Sequence, residues 1–118
     1  MSEHLLQVSM IRWANLQATT IPQLALWYAI PNGGQRNKVV TSKLKAEGAK
    51  AGVPDLHLPV ARGGCHSLYV ETKLPGNKPT YNQRTWHTYL RAEGNRVEMV
   101  TSLDQWIELN LDYLEGVK

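Results

Sequence analysis

Apolar residues recur every three to four positions near both ends of the chain, which is the spacing of an amphipathic helix. Ser2 can cap a first helix that runs to about residue 16, and Ser102 with Gln105 has capping-box spacing at the start of a last helix. The predicted buried stripes are Leu6, Met10 and Trp13 in the first helix and Leu103, Ile107, Leu111 and Leu114 in the last. The pattern therefore predicts a helix near each end.

Between these helices, apolar runs of strand length indicate a β-sheet. The predicted strands are residues 24–30 (LALWYAI), 53–60 (VPDLHLPV), 67–74 (SLYVETKL) and 96–100 (RVEMV). Pro54 and Pro59 favour an edge position or an irregular start for the second strand, because proline cannot donate a ladder hydrogen bond. The turn at residues 62–64 (RGG) predicts that the second and third strands form a hairpin.

Two further helices separate the strands. Residues 39–51 have a helix-favouring composition, and Thr80 with Gln83 repeats the capping-box spacing before a helix that ends near Gly94. The residues predicted to face inward on that helix are Trp86, Tyr89 and Leu90. The order of elements predicts an α/β sandwich with a mixed central sheet, which combines a hairpin with a crossover, flanked by helices. A length of 118 residues favours a single domain over residues 1–118.

Cysteine content and the apolar runs of the sequence bear on the cellular compartment. The single cysteine, Cys65, excludes an intrachain disulfide and fits a reducing compartment, for which the cytoplasm is the default. The N-terminal residues lack a basic segment followed by an apolar run, and no stretch approaches the length that spans a bilayer. We therefore expect a cytoplasmic protein with no membrane partner.

Charge is distributed unevenly along the chain. Residues 1–97 hold twelve Lys or Arg against five Asp or Glu, whereas residues 98–118 hold one against five. The densest basic stretch consists of Arg36, Lys38, Lys43, Lys45 and Lys50. Such a cluster would suit contacts to the phosphates of a nucleic acid, and charge alone equally suits a solvated helix face.

Three residues on the predicted hairpin can carry chemistry. Asp55 lies early on one strand, and Glu71 and Lys73 share a face of the next, because side chains two residues apart project together. Asp55, Glu71 and the carbonyl of Thr72 would provide the oxygen ligands that magnesium prefers, and Lys73 would face the attacking water of a phosphate-cleaving reaction. The alternative is an exposed ion pair of Glu71 with Lys73, and a turn residue at Asp55.

The motifs together resemble a known family. GAKAGVPDL (residues 48–56), YVETK (69–73) and the segment 83–86, preceded by PNGGQRN (31–37), are similar to the VRR-NUC (virus-type replication-repair nuclease) family of the PD-(D/E)xK superfamily. The resemblance spans nearly the whole chain. It implies a restriction-endonuclease-like fold and DNA cleavage with Mg²⁺ or Mn²⁺ held at Asp55 and Glu71.

The resemblance also implies roles for further residues. It implies a catalytic lysine at Lys73, a helix glutamine of the site at Gln83, and a metal-proximal acid on the first helix at Glu3. Glu3 would also be favoured in the first helical turn by the helix dipole alone, and Gln83 could simply bond back to the cap. The turn at residues 32–36, with Arg36, is either a phosphate contact or a plain strand-to-helix turn.

Several polar residues are interpreted as structural or neutral, because they lack the spacing of a metal site or a nucleophile. These are His4, His66, His87 and Cys65. His57 shares a strand face with Asp55 by alternation and could approach the site, but a lone strand histidine is more often a packed or partly exposed side chain, so we do not assign it to the site.

The sequence thus predicts a metal-dependent DNA endonuclease, with Arg36, Lys38, Lys43 and Lys45 contacting DNA. The expected working unit is a homodimer that cuts branched DNA such as four-way (Holliday) junctions, in a DNA-repair role within a bacterial or phage-infected cell. Two alternatives are a catalytically silent DNA-binding or assembly subunit and, less favoured, a hydrolase for a small phosphorylated substrate.

Overall fold

A four-stranded mixed sheet forms the centre of the molecule in the computed structural model, which describes residues 1–31 and 38–116. The helices are α1 (Glu3–Gln17), α2 (Lys38–Ala46), α3 (Tyr81–Ala92) and α4 (Leu103–Glu115), with a 3₁₀ helix at Pro22–Leu26. The strands are β1 (Tyr28–Ala29), β2 (Leu56–Leu58), β3 (Leu68–Thr72) and β4 (Arg96–Val100). The sheet order is β1-β2-β3-β4.

The sheet combines two kinds of strand pairing. β2 and β3 form an antiparallel hairpin and β1 pairs antiparallel with β2, whereas β4 pairs parallel with β3 after a crossover through α3. The restriction-endonuclease-like α/β sandwich predicted from the sequence is confirmed, and so is its combination of hairpin and crossover.

One face of the sheet packs on the main hydrophobic core. Leu6 and Met10 of α1 and Trp106 of α4 pack there against Leu68 and Val70 of β3, and all five side chains are buried. Because side chains alternate along a strand, Tyr69 and Glu71 project from the opposite face. That opposite face carries α3, whose Gln83 and His87 side chains reach Glu71.

The run LALWYAI does not form the strand predicted over residues 24–30. Pro22 starts a 3₁₀ helix instead, and the strand that follows is only Tyr28–Ala29. Within the run, Leu24 and Trp27 are the buried residues, a three-residue spacing that suits the 3₁₀ helix rather than a strand. The uniform apolarity of the run conceals this spacing.

The strand predicted over residues 53–60 is shorter and lies elsewhere in the sheet. β2 covers Leu56–Leu58, because Pro54 and Pro59 flank it and neither can donate to a ladder. Of the two alternatives for this strand, the edge position is wrong, since β1 pairs with its other side, whereas the irregular start agrees with the structure, because β2 begins only at Leu56. The helix predicted over residues 39–51 also ends early, at Ala46, ahead of Gly48 with φ of +108°.

The helix faces differ in detail from the predicted stripes. Tyr89 points outward with 67% of its surface exposed, and His87 turns inward in its place. In α4 the buried residues are Trp106, Leu109, Asn110 and Tyr113. Of the predicted stripe, Leu103, Ile107 and Leu114 are partly buried and pack against the same core. Trp27 packs on the buried face of α4, where its indole nitrogen donates to Asn110 Oδ1 at 2.8 Å and its ring lies 4.5 Å from that of Trp106. In the described part of the chain, no helix is both long and apolar enough to cross a membrane.

Candidate active site

Asp55 is fixed at the start of β2 by the neighbouring strand. Its Oδ2 accepts a hydrogen bond of 2.8 Å from the backbone N–H of Thr72 at the end of β3. Its own carbonyl accepts a bond of 2.8 Å from Ile30 N beside β1. The carboxylate is therefore anchored to the same strand that carries Glu71, as the alternation of the hairpin predicts.

Glu71 is a buried carboxyl group with polar contacts to α3. Only 1% of its surface is exposed, Gln83 Nε2 donates to its Oε2 at 3.1 Å, and His87 Nε2 lies 3.5 Å from its Oε1. Burial and then the adjacent Asp55, through its charge and a hydrogen bond between the carboxyls, raise the pKa of Glu71 to about 9. Near neutral pH the pair therefore holds a proton or requires a cation.

Gln83 makes both of the contacts that the sequence left as alternatives. Its Oε1 accepts from Thr80 N at 2.8 Å and its backbone N–H donates to Thr80 Oγ1 at 3.2 Å, which completes the capping box of α3. Its Nε2 is left to donate to Glu71. One amide side chain thus starts the helix and orients the buried carboxyl.

Lys73 and Glu3 have opposite effects on the pKa of Glu71. Lys73 continues the β3 ladder, its N–H donating to Val100 O at 3.0 Å, and its charge lowers the pKa of Glu71. Glu3, in the first turn of α1, raises that pKa and is the weakest of the influences named. The structure therefore brings Asp55, Glu71 and Lys73 together, with Glu3 at the periphery.

His87 contacts Glu71, although its sequence spacing indicates a structural or neutral residue. It is 6% exposed, and burial together with the charges of Arg91 and Lys73 lowers its pKa, so the ring is neutral at physiological pH. Its position is four residues after Gln83, which places both side chains on one face of α3. That spacing is a sequence signal that His87 shares the helix face of Gln83, but the contact with Glu71 also depends on how α3 packs on the sheet.

The carboxyl pair fits the chemistry of a hard divalent cation. Among residues 1–31 and 38–116, no three His, Cys, Asp or Glu side chains cluster into a ready-made metal centre. Magnesium needs fewer protein ligands, since it keeps several waters and binds through one or two carboxylates plus substrate oxygen. Two carboxyl groups that repel each other in a buried setting meet this requirement, and a cation would replace the retained proton.

The predicted DNA-binding lysines lie on the exposed surface of α2. Lys38, Lys43 and Lys45 are all exposed, whereas Arg36 and the turn around it lie outside the described residues. The segment after α2 closely approaches the start of α3, because a Cβ atom on Gly52 would lie 2.8 Å from Asn82 Cβ. The segment that follows the basic helix therefore abuts the first turn of α3, which also carries Gln83.

Comparisons with known proteins agree with this geometry. The model of the VRR-NUC domain family matches residues 2–104. A solved structure described as a VRR_NUC domain protein is similar over 100% of this chain and 92% of its own, with 26% identity and a TM-score of 0.81. No curated protein matches the chain.

Proposed function

The chain belongs to the VRR-NUC domain family, and from this premise we propose that it is a divalent-metal-dependent deoxyribonuclease with Asp55, Glu71 and Lys73 at its active site. The observation that carries the proposal is the carboxyl pair on neighbouring strands, in which burial and then the adjacent Asp55 raise the pKa of Glu71 to about 9. A carboxyl group is seldom fully buried unless it is paired, and strongly perturbed pKa values cluster at functional sites.

Each residue of the candidate site has a defined task in this proposal. Asp55, Glu71 and the carbonyl of Thr72 would hold Mg²⁺ or Mn²⁺, with Glu3 near the outer side. A bound ion would supply Lewis-acid polarisation of the phosphate and would lower the pKa of a bound water. Lys73 offsets charge that develops on the phosphate oxygens and orients the attacking water. Gln83 holds Glu71 in the ligand orientation through its 3.1 Å hydrogen bond.

A cleavage assay tests the proposal directly. Purified protein is incubated with linear, nicked, flapped and four-way-junction DNA in Mg²⁺, Mn²⁺ or EDTA. Cleavage in either metal but not in EDTA supports the proposal. Binding without cleavage in every condition would instead support a catalytically silent DNA-binding subunit with a nuclease-like fold.

Neutralising the basic helix is expected to weaken DNA binding without altering the chemistry. In the Lys43→Gln/Lys45→Gln variant, loss of two phosphate contacts should lower the slope of log affinity against log salt by up to about two units. Titrations at several salt concentrations in EDTA measure this slope. Lys78→Gln, at an exposed lysine outside α2, is the matched control, and an unchanged slope in the double variant would assign the α2 lysines to a solvated face.

A symmetric dimer would match branched DNA. One chain presents one carboxyl pair, whereas resolving a four-way junction requires two related cuts, and an isologous dimer places two sites in a fixed relation. Light scattering should therefore give twice the mass of one chain, and the junction should be cut faster than linear duplex of the same sequence. A monomer that cuts both equally fast would refute the paired-site arrangement and leave the single-site chemistry standing.

A further inference from the structure

Three aromatic side chains cross the sheet beside the carboxyl pair. Tyr28, His57 and Tyr69, which we call the aromatic ladder, stand opposite one another on β1, β2 and β3. The His57 and Tyr69 rings stack at 4.2 Å with an angle of 23°. Tyr28 meets His57 edge-on at 5.4 Å, and its hydroxyl lies 2.7 Å from His57 Nδ1.

The aromatic ladder lies on the same sheet face as the carboxyl pair. Tyr69 precedes Glu71 by two residues and His57 follows Asp55 by two, so the rings form the next row of side chains along the strands. Two residues of strand advance about 6.6 Å, and a stacked nucleic-acid strand advances about 3.4 Å per nucleotide. The ladder is therefore one or two nucleotides from a phosphate held at the carboxyl pair.

The exposure of the ladder distinguishes it from core packing. Tyr28 keeps 50% of its surface exposed, and His57 and Tyr69 are partly exposed, whereas Leu56 and Leu58 on the other face are fully buried. Tyr28 and Tyr69 carry phenol rings, and His57 presents the face of its ring to Tyr69. The surface offers flat aromatic faces more than charge.

We propose that the aromatic ladder is a stacking platform for an unpaired base of the DNA substrate, next to the phosphate that is cut. This proposal rests on the proposed nuclease function and adds a binding specificity to it. A paired base in duplex DNA has both faces covered by its neighbours, whereas an unpaired base at a flap, fork or junction can stack on a tyrosine. The platform therefore favours DNA with a single-stranded segment beside the cut.

A simpler role for the aromatic ladder is structural: its cross-strand ring contacts would stabilise the pairing of β1, which is only two residues long, with the sheet. The two roles predict different losses of DNA affinity when a Tyr28 variant is combined with DNA that lacks one base. If Tyr28 stacks on one base, removing the ring and removing the base each delete the same contact, so the two losses do not add. If Tyr28 only stabilises β1, the losses are independent.

The test scans one abasic position along a single-stranded oligonucleotide and measures affinity in EDTA, where cleavage cannot interfere. Wild-type protein should bind roughly tenfold more weakly when one particular position is abasic, the size expected for one lost stack. Tyr28→Leu, which keeps apolar bulk but removes the flat ring, should bind the intact oligonucleotide roughly tenfold more weakly and ignore the abasic position. Tyr28→Phe should behave as wild type, and so should Tyr89→Ala, at a comparably exposed tyrosine on α3.

Additive losses in Tyr28→Leu, or a wild-type affinity that no abasic position changes, would overturn the platform. Thermal melts of each variant report the stability of β1 separately, and if Tyr28→Leu does not fold, Tyr69→Leu, on the longer strand β3, repeats the comparison with another ring of the ladder removed. The nuclease proposal fails by a different result, namely absence of metal-dependent cleavage by a protein that still shows the abasic effect.

Discussion

Glu71→Gln is expected to abolish cleavage and at the same time to stabilise the metal-free protein at alkaline pH. The amide cannot ionise, so it removes an anionic ligand and also the repulsion from Asp55. The pKa of Glu71 is raised from 4.5 to about 9 in the folded protein, so between these values the unfolded chain releases a proton that the folded chain retains. Metal-free wild type therefore loses stability as pH rises through this window, and the variant does not share that loss.

Melting temperatures in EDTA measure this effect. The advantage of Glu71→Gln over wild type should grow between about pH 5 and about pH 8. Mg²⁺ should raise the melting temperature of wild type at the higher pH and leave the variant unchanged, because only a native-state ligand stabilises. Glu108→Gln, at an exposed carboxylate on α4, is the control for loss of charge alone. Substantial metal-dependent cleavage by Glu71→Gln would reject the site.

Asp55 should respond differently, because it also satisfies the buried N–H of Thr72. Asp55→Ala leaves that donor unpaired and should cost about 1–3 kcal/mol of stability in addition to abolishing cleavage. Asp55→Asn keeps an oxygen acceptor and should fold normally while remaining inactive. A fully active Asp55→Asn variant would exclude Asp55 as an anionic ligand.

Lys73→Met is expected to lower the rate of the chemical step by roughly a hundredfold to a thousandfold, the usual cost of removing one transition-state contact. The loss should appear in kcat, because the proposed partner of the ammonium is the phosphate and its attacking water. Metal affinity should be retained, since Lys73 provides no ligand and its charge opposes a nearby cation.

Single-turnover cleavage across a metal titration separates these effects. The rate of Lys73→Met should stay low at saturating metal, and Lys78→Met, at an exposed lysine in the loop before α3, should cleave as wild type. If excess metal restored the rate of Lys73→Met, the lysine would act on the ion rather than on the substrate.

The sequence identifies elements and contacts that depend on local rules. Alternation along the hairpin places Asp55 and Glu71 together, and the hydrogen bond of Asp55 to Thr72 N confirms that proximity. Capping-box spacing at Thr80 and Gln83 gives the start of α3 correctly. These patterns require only a strand period of two and the geometry of a helix N-terminus.

Long-range packing determined what the sequence did not reveal. Near His87 the sequence has no second metal-binding residue at the spacing of a metal site. Its contact with Glu71 depends instead on how α3 lies across the sheet. The aromatic ladder depends on the register of β1 with β2, and β1 was concealed inside an apolar run. The secondary structure of that run depends on which of its residues are buried in the core. Leu24 and Trp27 are the buried ones, and their spacing is helical.

Because Gln83 has two roles, opening of the first turn of α3 is coupled to the hydrogen bonding of the buried Glu71 carboxyl. Helix termini are the first parts of a helix to open in local unfolding. When the first turn of α3 frays, the bond from Gln83 to Glu71 must break with it, since one side chain serves both. Such an opening takes the Gln83 donor away from Glu71 Oε2, and the backbone amide of Gln83 is expected to exchange its hydrogen in the same events. Whatever fixes the Glu71 carboxyl therefore also restrains the first turn of α3, and opening of that turn removes a hydrogen-bond donor from the carboxyl.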